Sequence, residues 1–152
     1  MNRPEEPIET PSTATAVLGA ARLARVLDRA SGELGLAHYR VLTLVAGGDE
    51  RASRLAERLT LGKPAVSASV EALVARGLMT REVVAGDQRA IRLQLTGEGR
   101  ELLARTTAAM VARLEELVNA TEDPVATMNA LVALDEAIDR HLAERRAARE
   151  EK

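Results

Sequence analysis

One short segment, residues 78–95, interrupts a chain that otherwise consists almost entirely of helix-forming residues. In residues 91–95, IRLQL, apolar and polar residues alternate, which is the pattern of a half-buried β-strand. Residues 78–84 form a preceding β-preferring run, and residues 85–88, AGDQ, have the composition of a turn. The sequence therefore predicts a single β-hairpin, with its return strand at 89–95, in a mainly α protein.

The composition limits what the core and the active groups of such a protein can be. The chain has 152 residues, enough for one domain with a substantial core, and 46% of them are hydrophobic. Only 1% are aromatic, and Tyr39 is the sole example, so we expect a core of Leu, Val, Ala and Ile. The absence of cysteine excludes disulfides, thiolate metal sites and a cysteine nucleophile.

Apolar residues recurring every three or four positions predict helices on both sides of the hairpin. Gly35 and Gly77 mark predicted helix ends, Thr96 is a predicted N-cap, and Asp123-Pro124 is predicted to start the last helix. The predicted helices cover about 13–34, 36–46, 52–59, 63–76, 97–119 and 124 onward. We expect one domain at 13–146, a disordered tail at 1–12 and a frayed C-terminus at 147–152.

Two of these helices form a helix-turn-helix pattern. Residues 51–78, RASRLAERLTLGKPAVSASVEALVARGL, contain two short helices joined by a turn with glycine. The second helix of such a pair enters the DNA major groove with its N-terminal residues. The predicted contacts there are the polar Lys63, Ser67 and Ser69 and the apolar Pro64, Ala65 and Ala68.

The distribution of charge supports a nucleic-acid partner although the net charge of the chain is −2. Residues 51–105 carry ten Lys and Arg against six Asp and Glu, whereas both flanking segments are net acidic. A hairpin directly after a helix-turn-helix makes a winged helix, whose tip reaches the negative minor groove beside the duplex. The further predicted DNA contacts are Arg54, Arg81, Asp87, Gln88, Arg89 and Arg92.

The order of four helices, a wing and two further helices resembles the MarR family of winged helix-turn-helix transcriptional regulators, over about residues 15–145. The most similar stretches are LAHYRVLTLV, ASRLAERL, KPAVSASVEALVARGLMTRE and GDQRAIRLQLTGEGREL. The resemblance implies a DNA-binding winged helix at 36–99 and a dimerisation region formed by 13–34 and 100–146. It also implies a homodimer on double-stranded DNA with a pseudo-palindromic operator.

The resemblance assigns roles to the wing tip and also shows departures from the family pattern. In the family, an Asp-x-Arg tip is characteristic; here Asp87 would order the wing by pairing with a nearby arginine, and Arg89 would contact DNA. Gly62 stands where the family often has a capping Ser, and Ala68 stands where a polar or basic residue is common. Without cysteine, the peroxide-sensing branch of the family is excluded.

Several of these residues have a plainer interpretation that the sequence leaves open. Arg89 and Arg92 are also what a solvated hairpin edge would carry, and Arg54 and Arg58 also fit the exposed face of a short helix. His38, Tyr39 and Arg40 are candidate ligand residues in a cleft under the first helix, for an apolar or anionic small-molecule effector. His38 and His141 lack a recognised zinc spacing, so no metal is predicted.

The sequence favours a regulator over an enzyme. No Ser-His-Asp or paired-carboxylate set can be argued, and the glycines at 62 and at 97–99 do not complete a nucleotide-binding loop. No cofactor is predicted. We expect a homodimeric repressor whose DNA binding a small molecule relieves; the alternative is a winged-helix module that binds protein. With no signal peptide or apolar run of about 20 residues, we expect a cytoplasmic protein without a membrane partner.

Overall fold

The computed structural model describes residues 12–48, 52–59, 62–84 and 87–150, with the side chains of 52–54, 57, 63, 83–84, 87–91, 146 and 149–150 left undescribed. Most of the predicted tail at 1–12 therefore lies outside the described residues. The elements in chain order are α1 Thr13–Ala30, α2 Leu36–Ala46, α3 Ala52–Leu59, α4 Lys63–Ala75, β1 Met79–Val84, β2 Asp87–Leu95, α5 Gly97–Asn119 and α6 Pro124–Glu150.

The first helix ends earlier than the apolar pattern predicts. α1 stops at Ala30, and not at residue 34, because Gly32 and Gly35 have φ angles of +58° and +73°, which cannot continue a right-handed helix. Asp28 of α1 then caps the next helix, since its Oδ1 accepts a hydrogen bond from the Leu36 N–H at 3.0 Å. The capping bond joins the end of α1 to the start of α2.

The last helix begins at the predicted cap and runs to Glu150. α6 begins at Pro124, where Asp123 Oδ1 accepts from the Ala126 N–H at 2.9 Å, as predicted for this cap. It continues to Glu150, so it includes residues 147–150 of the segment for which the sequence predicted fraying. Ala147, Ala148, Arg149 and Glu150 are all residue types with high helix propensity, which is consistent with this extension.

The hairpin is an antiparallel pair with an irregular end. β1 and β2 pair in regular register from Met79 opposite Leu95 to Val83 opposite Ile91. The register then shifts, and Val84 pairs with Asp87, so 88–90 lie between two paired positions of β2. The second strand therefore begins at Asp87, two residues before the predicted start, and the first begins at Met79, one residue after it.

One aliphatic core joins the central helices to the base of the hairpin. The buried residues are Leu34, Val41, Leu42, Val45, Leu55, Leu59, Val66, Val70, Leu73, Leu78, Met79, Leu93, Leu95 and Leu102. Tyr39 packs partly buried against this cluster. By contrast, none of the described side chains of α1 or α6 is buried within the protomer. The core is thus formed by the middle of the chain, whereas the two outer helices leave much of their apolar surface uncovered.

Candidate nucleic-acid interface

Helix α4 presents one face to the core and the other to solvent. Val66, Val70 and Leu73 are buried, and this spacing fixes the rotation of the helix about its axis. The predicted contact residues Pro64, Ala65, Ser67 and Ala68 consequently lie exposed on the opposite side, near the N-terminal end. Because Ala and Ser are small, a groove of DNA can approach the backbone of this end of α4 closely.

The N-terminus of α4 lacks a side-chain cap. Gly62 is the N-cap residue and makes no side-chain hydrogen bond, which agrees with the departure seen in the sequence. Pro64 lies in the first turn, where its missing N–H leaves no helical bond unmade. The Ala65 and Val66 N–H groups both donate to the Gly62 carbonyl oxygen, at 3.0 and 3.2 Å, and these bonds close the first turn of the helix.

Ser69 differs from Ser67 in what its hydroxyl does. Ser69 is half-buried, and its Oγ donates a hydrogen bond to the Ala65 carbonyl oxygen one turn earlier at 3.0 Å. Its only hydrogen is therefore engaged within the helix, and the group can offer DNA only acceptor lone pairs. Ser67 is exposed on the same part of α4. Of the two serines, Ser67 is better placed to contact a base edge.

The exit from α4 leads directly into the wing. The Gly77 N–H donates to the Val74 carbonyl oxygen at 2.9 Å, and the Leu78 N–H donates to that of Leu73 at 3.0 Å. This pair of bonds is a Schellman motif, and the φ angle of Gly77, +72°, is the left-handed value that it requires. Strand β1 begins one residue later, at Met79. The end of the helix therefore sets where the hairpin starts.

Two predicted contacts in the wing are exposed, and one of them faces an acidic residue. Arg81 and Arg92 are both solvent-exposed. Arg92 of β2 pairs in register with Glu82 of β1, and Arg81 pairs with the buried Leu93. Side chains directly opposite in an antiparallel pair project from the same face, so Arg92 and Glu82 are neighbours. The positive charge of Arg92 is therefore partly offset within the wing itself.

The other predicted contacts are only partly placed. The side chains of Arg54, Lys63, Asp87, Gln88 and Arg89 lie outside the described residues, so their DNA contacts and the arginine pairing of Asp87 stay predictions. The backbone register nevertheless puts residues 88–90 in the irregular part of β2.

Of the three candidate ligand residues, two line a common cleft in the structure. Tyr39 and Arg40 line a cleft of about 250 Å³ between α2, α3 and α6, and His38 is not among its lining residues. The far wall is α6, not the first helix as expected, because Asp135 and Asp139 lie across from α2. The full lining is Tyr39, Arg40, Thr43, Leu44, Arg58, Leu59, Asp135 and Asp139. Two Arg and two Asp give a charge-balanced lining, which does not favour a simple anion.

A second groove, which the sequence did not predict, lies between α1 and α5. It measures about 410 Å³, and Val26, Ala30 and Ala109 provide its apolar lining. Arg29 and Arg113 provide its charges, and Arg113 also forms an ion pair with Glu116. The only signal in the sequence was a pair of arginines on different helices, which cannot be associated without the tertiary structure.

Metal and membrane features are absent from the part of the chain that the structure describes. No cluster of three or more His, Cys, Asp and Glu side chains arranged to hold a metal ion occurs there. Nor is any helix in that part long and apolar enough to cross a membrane.

A helix-turn-helix whose second helix exposes its N-terminal face, followed directly by a two-stranded hairpin, defines a winged-helix protein. Residues 33–90 match the sequence profile of the MarR family. This match covers most of the winged-helix region and agrees with the resemblance seen in the sequence. Comparison with curated protein sequences gives no match.

Solved structures show the same fold over most of the chain. Apo wild-type MarR from E. coli is 21% identical, with a TM-score of 0.69 over 82% of this chain and 96% of that one. The transcriptional repressor CouR bound to a 23-mer DNA duplex is 25% identical, with a TM-score of 0.73 over 84% and 92%. CouR from Rhodococcus jostii RHA1 bound to p-coumaroyl-CoA is 22% identical, with a TM-score of 0.67 over 82% and 88%.

Proposed function

We propose that this protein is a sequence-specific, DNA-binding transcriptional regulator that acts as a homodimeric repressor. The observation that carries the proposal is the exposed N-terminal face of α4, held in place by the buried Val66, Val70 and Leu73 and followed at once by the wing. The match of residues 33–90 to the MarR family and the likeness to the repressor CouR bound to DNA support it.

In this mode of binding, α4 and the wing read different parts of the duplex. The N-terminal half of α4 lies in the major groove, with Ser67 towards base edges and Ala65 and Ala68 towards thymine methyl groups. The wing lies beside the backbone and carries Arg89 into the minor groove. The excess of basic residues in 51–105 supplies the attraction for phosphates.

The dimer is proposed from the two outer helices. Among the described side chains of α1 and α6, none is buried within the protomer. Even large apolar residues are uncovered: Val17 is 64% exposed and Val125 is 71% exposed. Uncovered apolar surface on long helices is typical of an interface with another chain. A second copy joined about a two-fold axis would cover it and would place two α4 helices about 34 Å apart, one turn of DNA. A pseudo-palindromic operator follows.

Release by a small molecule is the third part of the proposal. The likeness to CouR with p-coumaroyl-CoA supports a ligand-responsive regulator. Among the described residues, two candidate sites are the cleft at Tyr39 and Arg40 and the groove at Arg29 and Arg113. The groove suits an anion with an apolar body better. Because binding equilibria are linked, an effector that binds more weakly to the DNA-bound protein must loosen DNA binding by the same factor.

A protein that binds chromosomal DNA also belongs in the cytoplasm.

The deciding experiment is selection of duplexes from a random pool by the purified protein, followed by fluorescence anisotropy on the selected sequence and on a random duplex of equal length. We expect a pseudo-palindromic sequence that binds at least about a thousandfold more tightly than random DNA. No enriched sequence and no binding between about 50 and 200 mM salt would overturn the proposal and favour a protein-binding winged helix instead.

A further inference from the structure

Thr96, between β2 and α5, joins three elements through a single residue. Its Oγ1 accepts a hydrogen bond from the Gly99 N–H in the first turn of α5 at 3.0 Å. The same hydroxyl donates to the carbonyl oxygen of Gly77, just beyond the end of α4, at 2.7 Å. The backbone N–H of Thr96 donates to the Leu78 carbonyl oxygen, at the entrance to β1, at 3.1 Å. Among side chains this short, Ser and Thr carry the hydroxyl group that can donate one hydrogen bond and accept another.

Gly99 makes the close approach at this junction possible. It is buried, and a Cβ placed on it would lie 2.9 Å from the Leu78 carbonyl carbon and would overlap the carbonyl oxygen. The obstructing atoms belong to the backbone, so a change of rotamer cannot relieve the overlap. Any larger residue at position 99 must move the first turn of α5 away from the base of the wing.

The same junction holds the ends of both strands. Leu78, whose carbonyl accepts from Thr96, also closes the Schellman motif of α4. At the other strand, Arg100 Nη1 donates to the Leu95 carbonyl oxygen at 2.9 Å. A two-stranded hairpin has little stability of its own, so its direction depends on how its base is fixed. Here the base is fixed to the end of α4 and to the start of α5 at once.

We propose that Thr96 and Gly99 are positioning residues for DNA binding: they set the placement of the wing relative to α4, so that both reach their grooves together. This inference rests on the proposed function. Neither residue contacts DNA in it; both act through the Leu78 and Gly77 backbone and hence through the wing contact at Arg89.

The variants that test this form two matched pairs. Thr96→Val removes the hydroxyl and keeps the shape, whereas Thr96→Ser keeps the hydroxyl. Gly99→Ala introduces the overlap. Gly97→Ala adds the same methyl group in the same turn, at an exposed position where the new Cβ meets no described atom within 4 Å beyond its chain neighbours and the helix's own backbone. Each variant is first checked by thermal melting and light scattering, and DNA binding is measured on the full chain well below its melting temperature.

The probe is the duplex selected by the wild-type protein, with a random duplex beside it. We expect Thr96→Val and Gly99→Ala to weaken binding to the selected duplex by at least about tenfold and to reduce the magnitude of the salt slope, because a displaced wing no longer neutralises its phosphates. Thr96→Ser and Gly97→Ala should stay within about twofold of wild type. In an Arg89→Ala background, Thr96→Val should have a much smaller effect, since it acts through the same arginine.

The outcomes separate this inference from the proposed function. Wild-type affinity and salt slope in a folded Thr96→Val variant would overturn the inference while the proposed function stood. An undiminished effect of Thr96→Val in the Arg89→Ala background would also overturn it, because the effect would not pass through the wing. If Gly99→Ala does not fold, the Thr96 pair decides. Failure of the wild-type protein to bind any DNA would overturn the proposed function and the inference together.

Discussion

Glu82 of β1 and Arg92 of β2 lie directly opposite each other across the wing, and both are exposed. A carboxylate beside the guanidinium lowers the positive potential that Arg92 offers to DNA. We therefore expect Glu82→Gln to strengthen binding to selected and random duplexes alike, by about threefold at low salt and less at high salt. Fluorescence anisotropy across a salt series measures this. Unchanged or weaker binding to both duplexes would show that this face of the wing does not approach DNA.

Arg89→Ala should weaken binding to selected and random duplexes together. The predicted contact is with the minor groove and its phosphate field, which carries little sequence information, so the magnitude of the salt slope should fall by about one unit for each phosphate that the arginine neutralised. The control is Arg145→Ala, which removes the same charge from the exposed acidic outer helix α6. If Arg89→Ala binds the selected duplex as tightly as wild type at about 150 mM salt, the hairpin is not a DNA-contacting wing.

Asp87→Ala should resemble a milder form of Arg89→Ala, because it would disturb the tip without removing the contacting cation. Affinity for both duplexes, measured by the same anisotropy titrations, should fall by less than in Arg89→Ala, while melting temperature and dimer mass stay those of wild type. A decrease larger than that of Arg89→Ala would show that Asp87 does more than order the tip.

Ser67→Ala should reduce affinity for the selected duplex by about 1 kcal/mol or more, with little change on random DNA, because a base contact is specific. Ser69→Ala, two positions further along the helix, serves as the comparison. Since the Ser69 hydroxyl already donates to the Ala65 carbonyl, its removal should matter less than that of the Ser67 hydroxyl. Equal decreases on selected and random duplexes for Ser67→Ala would contradict a role in reading bases.

The double substitution Leu134→Asp and Ile138→Asp should shift the protein from dimer to monomer. Both side chains are about half exposed in the protomer, 55% and 49%, so charges there need not disturb the internal core. Light scattering at micromolar concentration measures the mass, and circular dichroism checks that the helices remain. Glu136→Ala, on the exposed surface of the same helix, should stay dimeric. If light scattering gives the mass of a monomer for the wild-type protein, the proposed dimer is wrong.

The local elements of the winged helix could be predicted from the sequence because their signals are local. Glycine after a helix, proline in a first turn and alternating residues at 91–95 each act within a few positions. The bounds of α2 and α3 agree with the prediction, and Thr96 caps α5 as expected. The apolar spacing of Val66, Val70 and Leu73 likewise determined which face of α4 would be exposed.

Only the tertiary structure decided the relationships between residues distant in the chain. In the sequence, Gly99 belongs to a pair of glycines that does not complete a nucleotide-binding loop. Its role at the base of the wing depends on the carbonyl of Leu78, which approaches it only after folding. Asp135 and Asp139 face Tyr39 and Arg40 across a cleft although almost a hundred positions separate them. Periodicity records which face of a helix is apolar, but not which backbone or charge comes to lie against it, because that depends on how all the helices pack together.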